Sequence, residues 1–160
     1  MTPTQPEYLT DLTAAYGAPS RQGFGSAVFR EILQDTGDVT NAALSKYRYV
    51  VGNPWERYGE QAGLEAWRQI YARETGAHPN IVIELRGIAD PDTRRSLPMI
   101  LEGIERAEVA RAALSAAFDD LAVTELRVFN LGDGEAMSGL LVAGRRGTTG
   151  ESTFLVFLYD

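Results

Sequence analysis

The chain of 160 residues contains no cysteine, one histidine and one lysine, and its formal net charge is -7. These counts exclude a thiol nucleophile, a disulfide framework, a thiolate zinc site and the metal motifs that need two histidines. The acidic balance disfavours nucleic acid as a direct partner, because binding to a phosphate backbone depends on several Lys and Arg contacts.

Apolar residues at helical spacing predict three helices early in the chain, over 7–16, 26–36 and 39–51. A capping-box pattern that begins at Thr4 precedes the first helix, and Asp38 can cap the third. The end of the third segment could also form a strand, because it combines aromatic and β-branched side chains.

A fourth helix has the strongest start signal in the sequence. Asn53 at the N-cap, Pro54 at the first helical position and Glu56 in the first turn agree with one another. This helix is expected to run through Tyr71 and to end at Gly76.

The next segments predict one strand and a helical pair. Residues 80–88 alternate between faces and are rich in β-branched side chains, which is typical of a strand. A helical stretch begins at Pro91 and is expected to be interrupted at Pro98, whose ring and missing N–H disrupt helical hydrogen bonding. Residues 104–121 predict a second helix, with an alanine-rich buried stripe that ends at Leu121.

Three strands are predicted to close the chain, over 123–130, 137–144 and 152–159. Glycine-rich turns at 132–134 and 147–150 separate them, because glycine adopts positive φ at little cost. The last strand is apolar on both faces, so we expect it at the centre of a sheet or between two helical layers.

Together these elements predict a single α+β domain over residues 1–160. It has a helical N-terminal half, followed by a mostly antiparallel four-stranded sheet packed against helices. In chain order, this second part is expected to contain the first strand of the sheet, then the helical pair, and then a three-strand meander that completes the sheet. A meander leaves an edge strand, so homodimerisation through that edge stays open.

Two turns of the meander carry candidate binding residues. Asp133 and Glu135 place two carboxylates on a tight turn, where backbone oxygens could help them to hold a hard cation. Arg145 and Arg146 precede a glycine-rich turn, and a guanidinium pair of this kind can clamp a carboxylate or a phosphate. In both cases, an ordinary hairpin turn explains the same residues without a ligand.

A third candidate segment lies at the start of the fourth predicted helix. Trp55, Arg57 and Tyr58 belong to the residue types that are most enriched at the energetic centres of protein interfaces. This composition points to protein binding rather than to catalysis, although the same side chains could pack the helix onto the core.

The sequence therefore predicts a small acidic interaction or regulatory domain that binds another protein, in the manner of an inhibitor of a basic partner. An enzyme is disfavoured because few catalytic side-chain types are present, and no cofactor is indicated. The alternative is a carboxylate enzyme, with or without a divalent metal, or a module that binds a small anion through Arg145 and Arg146. The absence of a signal peptide, of cysteine and of an apolar run long enough to span a membrane predicts a cytoplasmic location.

Overall fold

The computed structural model describes residues 7–17, 25–33, 38–51, 67–73, 79–103, 106–132, 138–147 and 149–159. The helices are α1 (Glu7–Tyr16), α2 (Val39–Val51), α3 (Ile81–Arg86), α4 (Pro91–Leu101) and α5 (Ala107–Phe118). The strands are β1 (Gly25–Ile32), β2 (Arg68–Ala72), β3 (Val123–Gly132), β4 (Ser138–Arg146) and β5 (Glu151–Tyr159). The predicted α+β class is confirmed, with five strands instead of four.

The five strands form one sheet in the order β1-β5-β4-β3-β2, and every neighbouring pair is antiparallel. The predicted meander is confirmed as β3, β4 and β5. The two strands from the first half of the chain lie at the two edges of the sheet, so the N-terminal half is not purely helical.

Helices cover both faces of the sheet, which explains why β5 is apolar on both sides. The face toward α2 carries the buried residues Ala27, Phe29, Phe129, Leu131, Leu141, Ala143, Phe154, Val156 and Leu158. The face toward α1, α3, α4 and α5 carries Val28, Leu126, Val128, Leu140, Val142 and Leu155. The helices therefore form two layers, with the sheet between them.

Helices α1 and α2 agree with their predicted signals. The backbone N–H of Gly17 bonds the Thr13 carbonyl at 2.7 Å with φ at 104°, a positive value that favours glycine at this helix end. Asp38 caps α2 through its Oδ1, which accepts from the backbone N–H of Thr40 at 2.8 Å. The capping-box pattern at Thr4 lies outside the described residues.

Residues 25–32 form strand β1, so the helix predicted over 26–36 is wrong in this part. Phe29 packs in the α2 layer and Val28 in the opposite layer, as successive residues of a strand do. A strand that is buried on both faces reads as a continuous apolar run, and its residues can match a helical spacing by coincidence.

Residues 81–86 form helix α3, so the strand predicted over 80–88 is also wrong. The side chain of Asn80 caps this helix by accepting from the backbone N–H of Ile83 at 3.1 Å. Ile81 and Leu85, one turn apart, are fully buried, whereas Ile83 is 65% exposed. The β-branched composition of this segment favoured a strand, but packing against α4 and α5 selects the helix.

The fourth predicted helix is wrong where it can be checked, because Arg68–Ala72 is strand β2. Its predicted start at 53–56 and its stop at Gly76 lie outside the described residues. Trp67 stacks on Phe129 of β3 with ring centroids 4.8 Å apart, which ties the beginning of β2 to its neighbouring strand.

Two expectations for the helical pair are wrong in detail. Pro98 lies inside α4 without breaking it. The carbonyl of Arg94, which loses its usual helical donor, belongs to an exposed residue and can be hydrated. Helix α5 ends at Phe118, so Leu121 lies beyond the buried stripe and is 84% exposed.

Candidate functional site

Most of the residues that the sequence singles out lie outside the described part of the structure. This holds for Trp55, Arg57, Tyr58, Asp133 and Glu135, whose roles stay predictions. Arg145 and Arg146 are described, and their geometry can be compared with the predicted anion clamp.

Arg145 and Arg146 are successive residues of β4, so their side chains project from opposite faces of the sheet. The guanidinium carbon of Arg146 lies 4.2 Å from the centroid of the Tyr8 ring, on the face that α1 covers. Its Nη1 donates to Asp120 Oδ2 at 3.1 Å. Arg145 lies opposite Glu125 of β3, in the α2 face. The two guanidinium groups therefore do not converge on one ligand.

Arg146 belongs to a cluster in which positive and negative side chains balance. Glu151 Oε1 accepts hydrogen bonds from the Tyr8 hydroxyl and, at 3.2 Å, from Arg30 Nε. Burial acts to raise the pKa of Glu151, but the hydrogen bonds from Arg30 and Tyr8 outweigh it and hold this pKa below its usual range. Burial, followed by the Glu151 hydrogen bond, raises the pKa of Tyr8. Neither group is near its pKa at neutral pH, so the cluster is suited to stabilising the fold rather than to transferring protons.

The glycine-rich turn after β4 also has a structural explanation. Gly150 has φ at 75°, and a Cβ on it would lie 2.1 Å from the Leu33 carbonyl oxygen. The backbone N–H of Leu33 donates to the Gly150 carbonyl at 2.8 Å, which joins this turn to the end of β1. Glycine is therefore required at 150 for close contact between two parts of the chain, and no anion is needed to explain it.

A buried ion network that the sequence analysis missed connects β2, α3 and α5. Arg73 forms a bidentate pair with Glu84, with Nη2–Oε1 at 2.6 Å and Nε–Oε2 at 2.9 Å. The same guanidinium donates to Asp119 Oδ1 at 3.3 Å and to the Phe118 carbonyl at 2.8 Å. Only 7% of the Arg73 side chain is exposed. Because the partners are far apart in the sequence, no local motif marks this network.

Acid is expected to weaken the fold through Glu84 and Glu151. Burial acts to raise the pKa of Glu84, but hydrogen bonds from Arg73, Tyr71 and the Asn80 N–H outweigh it, so that this pKa, like that of Glu151, is lowered from about 4.5. A lowered folded-state pKa contributes stability above the unfolded value, and this contribution is lost as the pH falls through the folded value. The urea midpoint measured from pH 6 to pH 3 should therefore drop below about pH 4.5.

The matched control for this acid dependence is an exposed carboxylate. Glu84→Gln should flatten the acid decline of the urea midpoint, since a group that no longer titrates cannot contribute to it. Glu102→Gln, which removes a carboxylate that is 61% exposed, should leave the decline unchanged. An identical decline in the wild type and in both variants would contradict the role assigned to Glu84.

Apolar side chains are exposed on both sides of edge strand β1. Ile32 is 56% exposed on the face that carries Val28, and Tyr49 of α2 is 44% exposed. The Tyr49 ring packs edge-on against Phe29, with centroids 5.7 Å apart, on the other face of the strand. We call Phe29, Ile32 and Tyr49 the β1 edge surface. The helix predicted over 26–36 contains Phe29 and Ile32, so the sequence does not predict this surface at a sheet edge.

Other features of the described residues offer less. A shallow cavity of about 160 Å³ lies between α3 and α4, where Arg86 and Glu102 form an exposed ion pair with Nη2–Oε1 at 3.3 Å. Within the described ranges, no group of three His, Cys, Asp or Glu side chains is arranged to hold a metal ion. None of the described helices has the length and apolar character needed to cross a membrane.

Comparison of the chain with protein-family models, with curated proteins and with solved structures finds no match in any of the three.

Proposed function

We propose that this chain is a protein-binding domain and that the β1 edge surface is its contact site. The observation that carries the proposal is the exposure of Ile32 and Tyr49 beside a strand that, among the described residues, has a neighbouring strand on one side only. A regular edge strand with exposed apolar side chains beside it is a ready template for pairing with another chain. Aromatic side chains also contribute strongly to protein interfaces, and Tyr49 is held in place by its contact with Phe29.

The ionic clusters favour binding over chemistry. Among the described residues, every buried side-chain nitrogen or oxygen has a hydrogen-bond partner. The charged side chains of these clusters form hydrogen bonds with neighbouring parts of the same fold, as those of Arg73, Arg146 and Glu151 show. A catalytic group needs a pKa near the working pH and access to a substrate. The described carboxylates whose pKa values are shifted have values below their usual range, which is further from neutral pH. The carboxylate enzyme stays an alternative, because Asp133 and Glu135 lie outside the described residues.

The net charge of -7 supports a basic partner. Opposite charge speeds the encounter of two proteins, and the gain falls as salt screens it. An acidic regulatory domain that acts on a basic protein in the cytoplasm fits this charge. Association should then become slower as ionic strength rises, while the apolar contacts at the β1 edge surface limit dissociation.

Photo-crosslinking from single positions tests the proposed surface. A photoreactive amino acid replaces Ile32, Tyr49 or, as a control, Val109, and each variant is irradiated in the cells that naturally make the protein. Val109 on α5 is 48% exposed, so it matches Ile32 in apolar character and in exposure. We expect the same protein adduct from positions 32 and 49 and none from position 109. Adducts from all three positions alike, or from none, would refute the proposal.

A further inference from the structure

We infer that the second half of β1 accepts an extended segment of a different protein, which adds to the sheet as a further strand. This inference rests on the proposed protein-binding function and specifies how the β1 edge surface is used. Main-chain hydrogen bonds supply much of the affinity in such strand addition, and alternate side chains supply the specificity.

The hydrogen bonds of β1 show which backbone groups face away from the sheet. The Leu33 N–H donates to Gly150 at the start of β5, so residue 33 faces the neighbouring strand. The Val28 N–H donates instead to the Gly17 carbonyl at 2.9 Å, so residue 28 faces outward. Residues of an antiparallel strand alternate between these two directions, and the N–H and C=O groups of Arg30 and Ile32 therefore also face outward.

The two halves of this edge differ in how they are covered. The end of α1 covers the first half, where Gly17 bonds Val28 and the Ser26 hydroxyl donates to the Tyr16 carbonyl at 2.5 Å. No described residue offers the outward backbone groups of Arg30 and Ile32 a backbone partner. Within the part of the chain that the structure describes, the second half of β1 thus presents donors and acceptors in the geometry that an incoming strand requires.

The opposite edge of the sheet is less suited to this role. Strand β2 has five residues, and its pairing with β3 shifts register between Gln69 and Tyr71. Short length and an irregular register are features that protect edge strands from pairing. Strand β1 has eight residues in continuous register with β5.

Charge placement disfavours a second copy of this chain as the added strand. Antiparallel self-pairing that uses Arg30 and Ile32 of both copies would place Glu31 directly opposite Glu31, and pairing centred on Arg30 would oppose two guanidinium groups. Like charges directly opposite each other destabilise a strand pair. Pairing centred on Ile32 would extend beyond the end of β1, so that Ile32 would be the one β1 residue of each copy that pairs with β1 of the other copy. A different sequence avoids all three conflicts.

The chemistry of the edge describes the segment that it would accept. Ile32 favours an apolar side chain opposite it. Arg30 on one face favours an acidic neighbour, and Glu31 on the other face favours a basic one. Arg30 and Glu31 are already held by Glu151 and Lys46, with Arg30 Nε–Glu151 Oε1 at 3.2 Å and Lys46 Nζ–Glu31 Oε1 at 2.8 Å, so the strand keeps its charges in fixed positions before a partner arrives.

A peptide selection followed by two substitutions at one position tests the inference. Linear peptides displayed on phage are selected against the wild-type protein, and the most enriched sequence is synthesised as the probe. Ile32→Pro removes the outward N–H and leaves the bonds between β1 and β5 intact, because proline is tolerated where an edge N–H faces solvent. Ile32→Thr keeps that N–H and removes a comparable amount of apolar surface. Isothermal titration of the probe should give an affinity about tenfold weaker for the proline variant and about threefold weaker for the threonine variant.

Amide hydrogen exchange of the wild-type protein gives a second measurement that does not depend on a variant. Saturation with the probe peptide should slow exchange at Arg30 and Ile32, while the amide of Glu31, already bonded within the sheet, changes little. Failure to enrich any peptide would overturn the inference. So would unchanged exchange at both outward amides, or a dimer of the pure protein that Ile32→Pro dissociates.

The outcomes separate this inference from the proposed function. If the proline and threonine variants weaken binding of the probe peptide equally, and exchange at the Arg30 and Ile32 amides is not slowed, the peptide is recognised through side chains alone. Strand addition then fails, whereas crosslinks from positions 32 and 49 would still support a protein-binding surface. Probe binding that neither substitution affects, combined with equal crosslinking from position 109, would reject both.

Discussion

Replacing Arg73 by methionine should lower the free energy of unfolding by about 3 kcal/mol. The Arg73 guanidinium pairs with Glu84 and Asp119 and bonds the Phe118 carbonyl, and its side chain is 93% shielded from solvent, with 7% exposed. Methionine fills a similar volume but leaves two poorly solvated carboxylates without their cation. Removal of one partner from a buried ion pair is costly mainly because the other charge is left uncompensated.

Urea denaturation of the Arg73→Met variant measures this loss, and Arg127→Met is the matched control. Arg127 also pairs with a carboxylate, Glu125, with Nε–Oε2 at 2.7 Å, but more than a third of its side chain is exposed, at 37%. Exposed pairs contribute little, so this control should lose less than about 1 kcal/mol. The loss of unfolding free energy caused by Arg73→Met should become smaller at acidic pH, because protonation removes the uncompensated charge of Glu84. Similar losses in the two variants, or a deficit independent of pH, would contradict the proposed role of the network.

The sequence predicted correctly those elements whose signals are local. Helix α2 has an acidic cap at Asp38 and a repeating apolar face from Val39 to Val50, and both are seen in the structure. Strands β3, β4 and β5 follow one another in sequence and pair with their nearest neighbours, so glycine turns were sufficient to place them.

Two of the wrong elements have different causes: long-range pairing decides strand β1, whereas helix α3 has local signals that the types of its residues oppose. Strand β1 pairs with β5, which lies more than a hundred residues further along the chain; Gly25, for example, is opposite Leu158. No local sequence signal predicts that pairing. Three of the six residues of helix α3 are β-branched and favour a strand, yet its burial at Ile81 and Leu85 follows helical spacing. That spacing and the cap at Asn80 were present in the sequence, and they would have supported a helix if weighed above residue type.

The candidate site could not be predicted for a related reason. Exposure of Ile32 depends on β1 lying at an edge, and strand order is a property of the whole sheet rather than of any segment. The same applies to Arg145 and Arg146, which look like a clamp in the sequence and are separated by the alternation of a strand.

Replacing Gly150 by alanine should lower the free energy of unfolding by about 3 kcal/mol, and it should also weaken peptide binding at the β1 edge. The backbone at Gly150 has φ at 75°, which is strained for any residue with a Cβ. The added methyl group would also lie 2.1 Å from the Leu33 carbonyl oxygen, a backbone atom that cannot move without shifting the end of β1. Strain and overpacking therefore add at this position.

Gly87→Ala is the control for this substitution. Gly87 has φ at -84°, and a Cβ there would lie 3.5 Å from the Ile83 carbonyl oxygen, an ordinary contact, so its stability should change by less than about 1 kcal/mol. Urea denaturation compares the two variants. Because Leu33 follows Ile32 directly, Gly150→Ala should also weaken binding of the selected peptide at the β1 edge, and Gly87→Ala should leave it unchanged. Equal stability losses would contradict the assignment of Gly150 as the residue that holds the β4–β5 turn against β1. A large stability loss with unchanged peptide binding would instead place the binding surface away from the end of β1.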